Sequence, residues 1–264
     1  MVNLTEKWVK IEVSDLANYP DGINQIYRGE IDGIHIKQVF TQAEMFLVKQ
    51  NLDRKKEELS QLCSQQRYGD LIGAVLTANG SDTTSYFQDA ARLRNELTAI
   101  FNPDYESTIT AIFRELSGGR QVEVAHKNGN AYSPAQIRFT YPDRGGIGLH
   151  KGNEFINLPG FEQLHEIVKL KNCLSYYLVI DKPEQGGELI LYDDLPEELT
   201  IPKQKLDLEN CQQRRYDPEV GDLIIFHGAC IWHAVSEVKG SKIRYSIGGF
   251  VGLSQDEEKI HYWA

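Results

Sequence analysis

Residues 221–235 read GDLIIFHGACIWHAV, and this stretch carries the strongest signal for the fold. Gly221-Asp222 is a turn signal, residues 222–227 are apolar enough for a buried strand, and a second strand is expected at residues 232–238. Short strands broken by turn residues at intervals of about ten are typical of barrels and sandwiches. The stretch therefore predicts two strands of a β-barrel.

The same pattern extends on both sides of this stretch. β-Branched and aromatic runs predict further strands at residues 121–125, 135–141, 175–180, 188–193 and 242–249. We interpret the polar residues 194–217 as an excursion on the barrel surface. The region from residue 121 onward is therefore expected to be mainly β-structure.

The first third of the chain has helical spacing instead. Thr41 and Glu44 form a Thr-x-x-Glu capping box ahead of a charged helix with one apolar face. Two more helices are predicted at residues 82–101 and 104–116, from apolar residues three and four positions apart. We expect this part of the chain to pack on the barrel as helical support.

Composition points to one soluble globular unit. The chain has 264 residues, 41% of them hydrophobic and 25% charged, so we expect a single domain over residues 1–264, with residues 1–120 mainly helical and residues 121–264 forming the barrel. A formal charge of -10 argues against a broad nucleic-acid interface. No apolar run approaches the ~18 residues of a membrane span, so no membrane partner and a cytoplasmic location are expected.

Cysteine usage gives no sign of a metal or dithiol motif. The spacing of the cysteines contains no CxxC pair, and reduced thiols are therefore expected. The positions are Cys63, Cys173, Cys211 and Cys230.

Two histidines and one arginine carry the chemical signal. His150 and His233 lie near expected strand ends, and two imidazoles with open positions suit Fe(II), although either histidine alone fits a structural role as well. Arg244 follows His233 across an expected hairpin with residues 239–242 at its tip, and Ser246 shares its face of the strand. A planar guanidinium beside a hydroxyl suits the carboxylate of a dicarboxylate co-substrate.

Taken in order, these features resemble the iron(II)/2-oxoglutarate-dependent oxygenases over about residues 137–250. The resemblance rests on the following positions: His150, Gly186-Gly187-Glu188-Leu189, Gly221-Asp222 with Phe226, His233 with Val235, and Gly240 followed by Arg244 and Ser246. It implies a double-stranded β-helix, a cupin-like jelly roll, as the barrel of an α+β enzyme. It also implies Fe(II) on the two histidines, with 2-oxoglutarate and O2 as co-substrates.

One position departs from that family pattern. The family places Asp or Glu two residues after its first histidine to complete the iron site, and this chain has Gly152 there. The family's halogenases replace that carboxylate by Gly or Ala, and chloride or bromide takes the vacant iron position. Residues 150–155, HKGNEF, look like the freestanding halogenases of hapalindole and welwitindolinone type alkaloid pathways. The likeness extends from Tyr68-Gly69 to Tyr262-Trp263.

This resemblance implies a halogenase that acts on a free small molecule without a carrier protein and releases succinate and CO2. Two readings of the vacant position stay open. Glu154 lies about 13 Å from His150 along an extended strand, and a tight turn at Gly152-Asn153 would be needed to make it the third ligand. Water in place of halide would instead give hydroxylation.

Further assignments concern the donor beside the iron and the substrate pocket. Ser175 is our candidate for a donor that orients the oxygen, although a core hydroxyl fits equally well. A bulky apolar substrate is expected in a pocket whose candidate residues also fit an ordinary core: Tyr86, Phe87, Phe139, Ile147, Phe226 and Trp232. The alternative functions are an Fe(II)/2-oxoglutarate-dependent hydroxylase or desaturase, and a metal-free cupin-like binding module. The joint presence of His150, His233 and Arg244 argues against the binding module.

Overall fold

The computed structural model describes residues 7–264, which form strands in two large sheets and one small hairpin, together with helices on the outside. The strands are β1 (Trp8–Glu12), β2 (Gly33–Lys37), β3 (Cys63–Gln66), β4 (Gly69–Ile72), β5 (Gln121–Val124), β6 (His126–Lys127), β7 (Asn130–Ala131), β8 (Gln136–Thr140), β9 (Ile147–His150), β10 (Leu174–Asp181), β11 (Leu189–Tyr192), β12 (Gln213–Tyr216), β13 (Leu223–Phe226), β14 (Trp232–Val235), β15 (Arg244–Leu253) and β16 (Lys259–Trp263). The helices are α1 (Gly22–Tyr27), α2 (Gln42–Arg54), α3 (Lys56–Ser60), α4 (Thr84–Ile100), α5 (Tyr105–Leu116) and α6 (Glu162–His165). Short 3-10 turns occur at Val13–Asn18, Leu170–Asn172 and Lys203–Lys205.

Eight consecutive strands, β8 to β15, form the barrel. The larger sheet contains them in the order β13-β10-β15-β8, and the smaller sheet in the order β12-β11-β14-β9. All neighbours within this set are antiparallel. This order of two interleaved four-stranded sheets is that of a jelly roll, and the expected strands from residue 135 onward fall within it.

The N-terminal third differs in part from the helical region that the sequence predicts. Helices α2, α4 and α5 lie where they were expected, but four strands accompany them. Strands β1 and β2 extend the larger sheet beyond β13, and β4 and β3 extend it beyond β8. Residues 33–37 escape prediction because β2 is short and mostly buried between strands from distant parts of the chain.

The three long helices form for reasons visible in the sequence. Thr41 and Glu44 make the expected capping box at the start of α2, where the Thr41 hydroxyl accepts from the Glu44 amide at 3.2 Å and the Thr41 amide donates to the Glu44 carboxylate at 2.7 Å. Helix α5 starts at the capping side chain of Asp104 and buries one face against β5 and the core. Its buried residues are Tyr105, Ile109, Ile112, Phe113 and Leu116.

The expected hairpin between residues 232–238 and 242–249 is wrong. Strand β14 belongs to the smaller sheet, whereas β15 lies between β10 and β8 in the larger sheet. Residues 236–243 therefore cross from one sheet to the other. The crossing passes very close to Gly186, where an added Cβ would lie 1.8 Å from the Glu237 carbonyl oxygen. This close approach explains why a glycine stands at that turn.

Two further sequence expectations concern cysteines and the membrane. All four cysteines are free thiols. Among residues 7–264 we find no helix with the length and apolar character to cross a membrane.

Candidate metal centre and its cavity

His150 and His233 are brought together by the pairing of β9 with β14. They are direct cross-strand partners, and their ring centroids lie 4.1 Å apart. A β-bulge follows, because His233 pairs with His150 while Val235 pairs with Ile147. The extra residue in β9 allows both Ile147 and His150 to line the cavity, whereas Leu149 packs on the outer face.

Each histidine uses the same ring nitrogen for a backbone hydrogen bond. Nδ1 of His150 donates to the Gly148 carbonyl and Nδ1 of His233 to the Ile231 carbonyl, both at 2.8 Å. Because a carbonyl only accepts, Nε2 is the unprotonated nitrogen in both neutral rings. Burial lowers the pKa of both histidines, and the proximity of His150 lowers that of His233 further. Two neutral imidazoles with oriented rings are the form that binds a metal.

No carboxylate completes this pair. Within residues 7–264 there is no group of three or more His, Cys, Asp or Glu side chains arranged to hold a metal ion. Glu154, the alternative third ligand, does not line the cavity. Its carboxylate accepts instead from Lys203 Nζ at 2.6 Å and from the Lys151 amide at 3.2 Å.

Gly152 occupies a narrow place beside the histidines. Its backbone is outside the left-handed region, so the turn itself does not require glycine. A Cβ on Gly152 would lie 3.1 Å from Ser175 Oγ, 3.3 Å from Phe250 Cε1 and 3.4 Å from the Gly228 carbonyl carbon. The amide of Gly152 donates to the Gly228 carbonyl at 2.8 Å, which fixes the turn. A side chain at position 152 would therefore require its neighbours to shift by a few tenths of an ångström.

Arg244 is a buried cation that makes no ion pair with an acidic side chain of residues 7–264. It is 5% exposed, and its Nη1 donates to Ser246 Oγ at 2.9 Å. The guanidinium carbon lies 5.5 Å from the centroid of the Tyr177 ring. Burial lowers the pKa of Arg244, yet a guanidinium remains charged in proteins. A buried charge of this kind is stabilised by an anionic ligand.

Sequence reasoning missed several polar groups of the cavity, among them Tyr177 and Arg138. The Tyr177 hydroxyl is buried and has no hydrogen-bond partner in the part of the chain that the structure describes, and burial raises its pKa, so the proton stays available for donation. Arg138 lies on β8 opposite Ser246 and makes no hydrogen bond or ion pair with the described residues. Strand alternation could have found Tyr177, because it shares a face with Ser175.

One cavity of about 440 Å³ joins these groups, and most of its wall is apolar. It is lined by Gln66, Tyr68, Leu71, Val75, Leu76, Thr77, Gln136, Arg138, Ile147, His150, Phe155, Phe161, Ser175, Tyr176, Tyr177, Leu189, Phe226, His233, Val235, Arg244, Ser246, Gly249, Phe250, Trp263 and Ala264. No aspartate or glutamate of the described chain is among them. The cavity thus combines two arginines, two neutral histidines and an aromatic wall.

Ile147 and Phe226 lie in this wall, but four of the expected pocket residues lie elsewhere. Tyr86 donates to the Ala264 carbonyl at 2.6 Å, and Phe87 packs on Tyr132 behind it. Phe139 packs against Tyr245 in the core. Trp232 faces outward from the smaller sheet, because its neighbour His233 faces inward.

This jelly roll, with paired histidines and a buried arginine facing one cavity, defines an iron(II)/2-oxoglutarate-dependent oxygenase. Solved structures of that class share the fold. An N-substituted L-amino acid dioxygenase from Burkholderia ambifaria AMMD is 17% identical over 92% of this chain and 90% of its own, with a TM-score of 0.57. A 2OG-Fe(II) oxygenase family oxidoreductase from Burkholderia pseudomallei is 14% identical over 93% and 94%, with a TM-score of 0.52. At these identities the likeness concerns the fold alone.

The sequence itself gives the family. The carrier-protein-independent halogenase family WelO5 matches residues 5–264, and the chain belongs to that family. No curated protein matches the chain significantly.

Proposed function

We propose that the protein is an Fe(II)/2-oxoglutarate-dependent halogenase that places chloride or bromide on an unactivated aliphatic carbon of a free small molecule. The carrying observation is a pair of neutral, oriented histidines beside Gly152, where the wider oxygenase class has a carboxylate. Membership of the carrier-protein-independent halogenase family supports the same reading.

His150 and His233 would hold the iron through Nε2, since their Nδ1 atoms are engaged with backbone carbonyls. Iron bound there would supply oxygen activation coupled to decarboxylation of 2-oxoglutarate to succinate and CO2, followed by halogen transfer. The protein's part is to fix the ligands and to keep competing groups away.

Arg244 would bind the distal carboxylate of 2-oxoglutarate. A carboxylate there would pair the buried guanidinium and would give the orphaned Tyr177 hydroxyl an acceptor, with Ser246 as a further donor. Arg138 adds a second cation that is unpaired among residues 7–264, and none of the described residues that line the cavity is acidic, which favours a dianionic co-substrate.

Gly152 would leave room for the halide. A carboxylate and a halide at about 4 Å repel by roughly 4 kcal/mol at an effective dielectric of about 20, so an aspartate at this position would exclude the halide. Ser175 Oγ lies against the same space and is our candidate for the hydroxyl that orients the reacting oxygen.

The substrate would be a largely apolar molecule that reaches the cavity unattached. Aromatic side chains form much of the wall, among them Phe155, Phe161 and Phe250. Apolar walls with a few polar groups are typical of small-molecule sites.

The test is turnover of candidate metabolites with Fe(II) and 2-oxoglutarate in chloride and in bromide, read by mass spectrometry. A chlorinated product that becomes brominated when bromide replaces chloride is expected. A product that is hydroxylated or desaturated at every chloride concentration would reject halogenation and leave an oxygenase of the same class. A protein that binds neither Fe(II) nor 2-oxoglutarate would be a binding module.

A further inference from the structure

Residues 194–212, here named the strap, connect β11 to β12 and cover the outer face of the smaller sheet. The sequence presents the strap as a polar surface excursion, yet its apolar side chains pack against the sheet. On the strap these are Leu195, Leu199, Leu206, Leu208 and Cys211, and on the sheet Leu149, Ile190, Tyr192, Trp232 and Ala234. The outward neighbours of both histidines are therefore covered by one segment.

Two hydrogen bonds tie the strap to the residues next to the histidines. Lys151 follows His150, is only 7% exposed, and donates from Nζ to the Glu197 carbonyl at 2.7 Å. Trp232 precedes His233 and donates from Nε1 to the Pro196 carbonyl, also at 2.7 Å. Two consecutive carbonyls of the strap thus accept hydrogen bonds from residues adjacent to His150 and His233, on the face of the smaller sheet that is opposite the cavity.

A third connection reaches the turn that contains Gly152. Lys203 Nζ of the strap binds the Glu154 carboxylate at 2.6 Å, and the same carboxylate accepts from the Lys151 amide at 3.2 Å. The ammonium groups of Lys151 and Lys203 lie 5.0 and 5.1 Å from the Trp232 ring centroid. Cation–π contacts of this kind fix the two lysines relative to the indole.

We propose that the strap is a positioning element in which Lys203 and Glu154 fix the turn between His150 and Glu154, and so set the affinity of the centre for metal and halide. This inference rests on the proposed function. The Lys203 and Glu154 side chains are 36% and 35% exposed, and such pairs contribute little to folding stability. Their loss should therefore change the centre more than it changes the fold.

The test uses Lys203→Met, which keeps the aliphatic stem and removes the ammonium. Lys203→Arg retains the charge, and Lys205→Met is the matched control, since Lys205 is an exposed residue of the same 3-10 turn without a side-chain contact among the described residues. Glu154→Gln removes the other partner and provides a second route if Lys203→Met folds poorly. All proteins are first compared by thermal unfolding.

The measurement is made without oxygen, so that no turnover is needed. Fe(II) is titrated into protein with 2-oxoglutarate, the visible charge-transfer band is recorded, and chloride is then titrated at constant ionic strength. Changes in groups that orient metal ligands typically cost 10-fold or more in metal affinity, so we expect about a tenfold loss for Lys203→Met and Glu154→Gln, with a shifted band and weaker chloride binding. Lys203→Arg should stay close to the wild type.

Three outcomes decide the matter. Weakened binding in Lys203→Met and Glu154→Gln, with Lys205→Met unchanged, supports the role of the strap. Unaltered affinities and spectra in both variants overturn it while leaving the proposed function in place. A wild-type protein without any Fe(II)-dependent band would overturn the proposed function itself, and the inference with it.

Discussion

His150 and His233 lie opposite each other across β9 and β14, and each bonds through Nδ1 to the carbonyl two residues before it. The two Nε2 atoms are therefore the equivalent free acceptors of two rings whose centroids are 4.1 Å apart. The two Nε2 atoms would therefore serve as ligands of one metal ion.

Replacement of His150 or His233 by Ala should abolish Fe(II)-dependent succinate formation, because each ring would provide one of only two protein ligands. Anaerobic Fe(II) titration followed by the visible band measures the loss directly. His227→Ala is the control, since His227 lies outside the cavity and contacts Cys230. An inactive His227→Ala with a functional His233→Ala would show that the wrong histidine was chosen.

Arg244→Met should weaken 2-oxoglutarate binding, because loss of a buried charge-assisted contact to a carboxylate costs about 2–5 kcal/mol. Arg244→Lys should also bind weakly, since the two-pronged geometry is lost. Isothermal titration of the protein with 2-oxoglutarate in the absence of oxygen gives the affinities. Unchanged affinity in both variants would assign the co-substrate to another group, with Arg138 the next choice.

The stability of Arg244→Met relative to the wild type should depend on whether 2-oxoglutarate is present. Without 2-oxoglutarate, Arg244→Met should be at least as stable as the wild type, because the substitution removes a buried cation that has no acidic partner among the described residues. With 2-oxoglutarate, only the wild type should gain thermal stability. A large loss of stability in the unliganded variant would indicate a purely structural arginine.

Gly152→Asp should eliminate halogenated product, because a carboxylate at this position would compete for the proposed halide position and would repel halide by roughly 4 kcal/mol at a separation of about 4 Å. Product analysis in chloride, together with succinate formation, is the measurement. Gly148→Asp, in the neighbouring strand β9, is a matched control, since an added Cβ there meets nothing within 4 Å. Persistent halogenation in Gly152→Asp would contradict the proposed halide position.

Ser175→Ala should shift the product ratio from halogenation toward hydroxylation while 2-oxoglutarate is still consumed. The reason is that Ser175 Oγ lies 3.1 Å from the position of a Cβ on Gly152 and so faces the reacting groups. The ratio is read by mass spectrometry at fixed chloride. An unchanged ratio would leave Ser175 as a core hydroxyl.

Asp222→Asn should lower the free energy of unfolding by about 1–3 kcal/mol. The reason is that a buried carboxylate, which accepts charge-assisted hydrogen bonds with both oxygens, would be replaced by an uncharged amide with one accepting oxygen and one donating NH2 group. Asp222 accepts from His35 Nε2 at 2.7 Å and from the amides of Gln38 and Glu219. Burial alone would raise the pKa of Asp222, but these bonds outweigh it and hold the pKa below its usual value. Chemical unfolding at neutral pH measures the difference.

The pH dependence has a definite sign. A carboxyl whose pKa is lower in the folded than in the unfolded chain stabilises the fold above the unfolded pKa of about 4, and the contribution is lost as the pH falls through the folded value. The gap between wild type and Asp222→Asn should therefore narrow below pH about 4. Asp15→Asn, at an exposed position, is the control and should show no such gap.

Much of the fold could be predicted because its signals are local. The capping box of Thr41 and Glu44 and the turn at Gly221 each lie within a few residues of sequence. Strands β2 and β4 gave no comparable signal, since they pair with β13 and β8, which lie far along the chain. Ile36 of β2, for example, pairs with Leu223.

In the candidate site, too, the features with local sequence signals could be predicted and those that depend on distant strands could not. The residue types His150, His233 and Arg244 could be selected from the sequence, but the bulge in β9 depends on the register between strands far apart in the chain. Trp232 was misplaced although strand alternation with an inward His233 already required it to face outward. Tyr177 could have been found by the same alternation from Ser175.

The order of strands in the larger sheet also has a consequence for synthesis of the protein. Strand β15 lies between β10 and β8, and β2 pairs with β13. The early strands therefore cannot complete the larger sheet until residues 223–253 have left the ribosome. Pairings of such long sequence separation fold slowly and leave apolar edges open in the meantime. Lower temperature during production should therefore favour soluble protein over aggregates, because the open apolar edges associate less strongly on cooling.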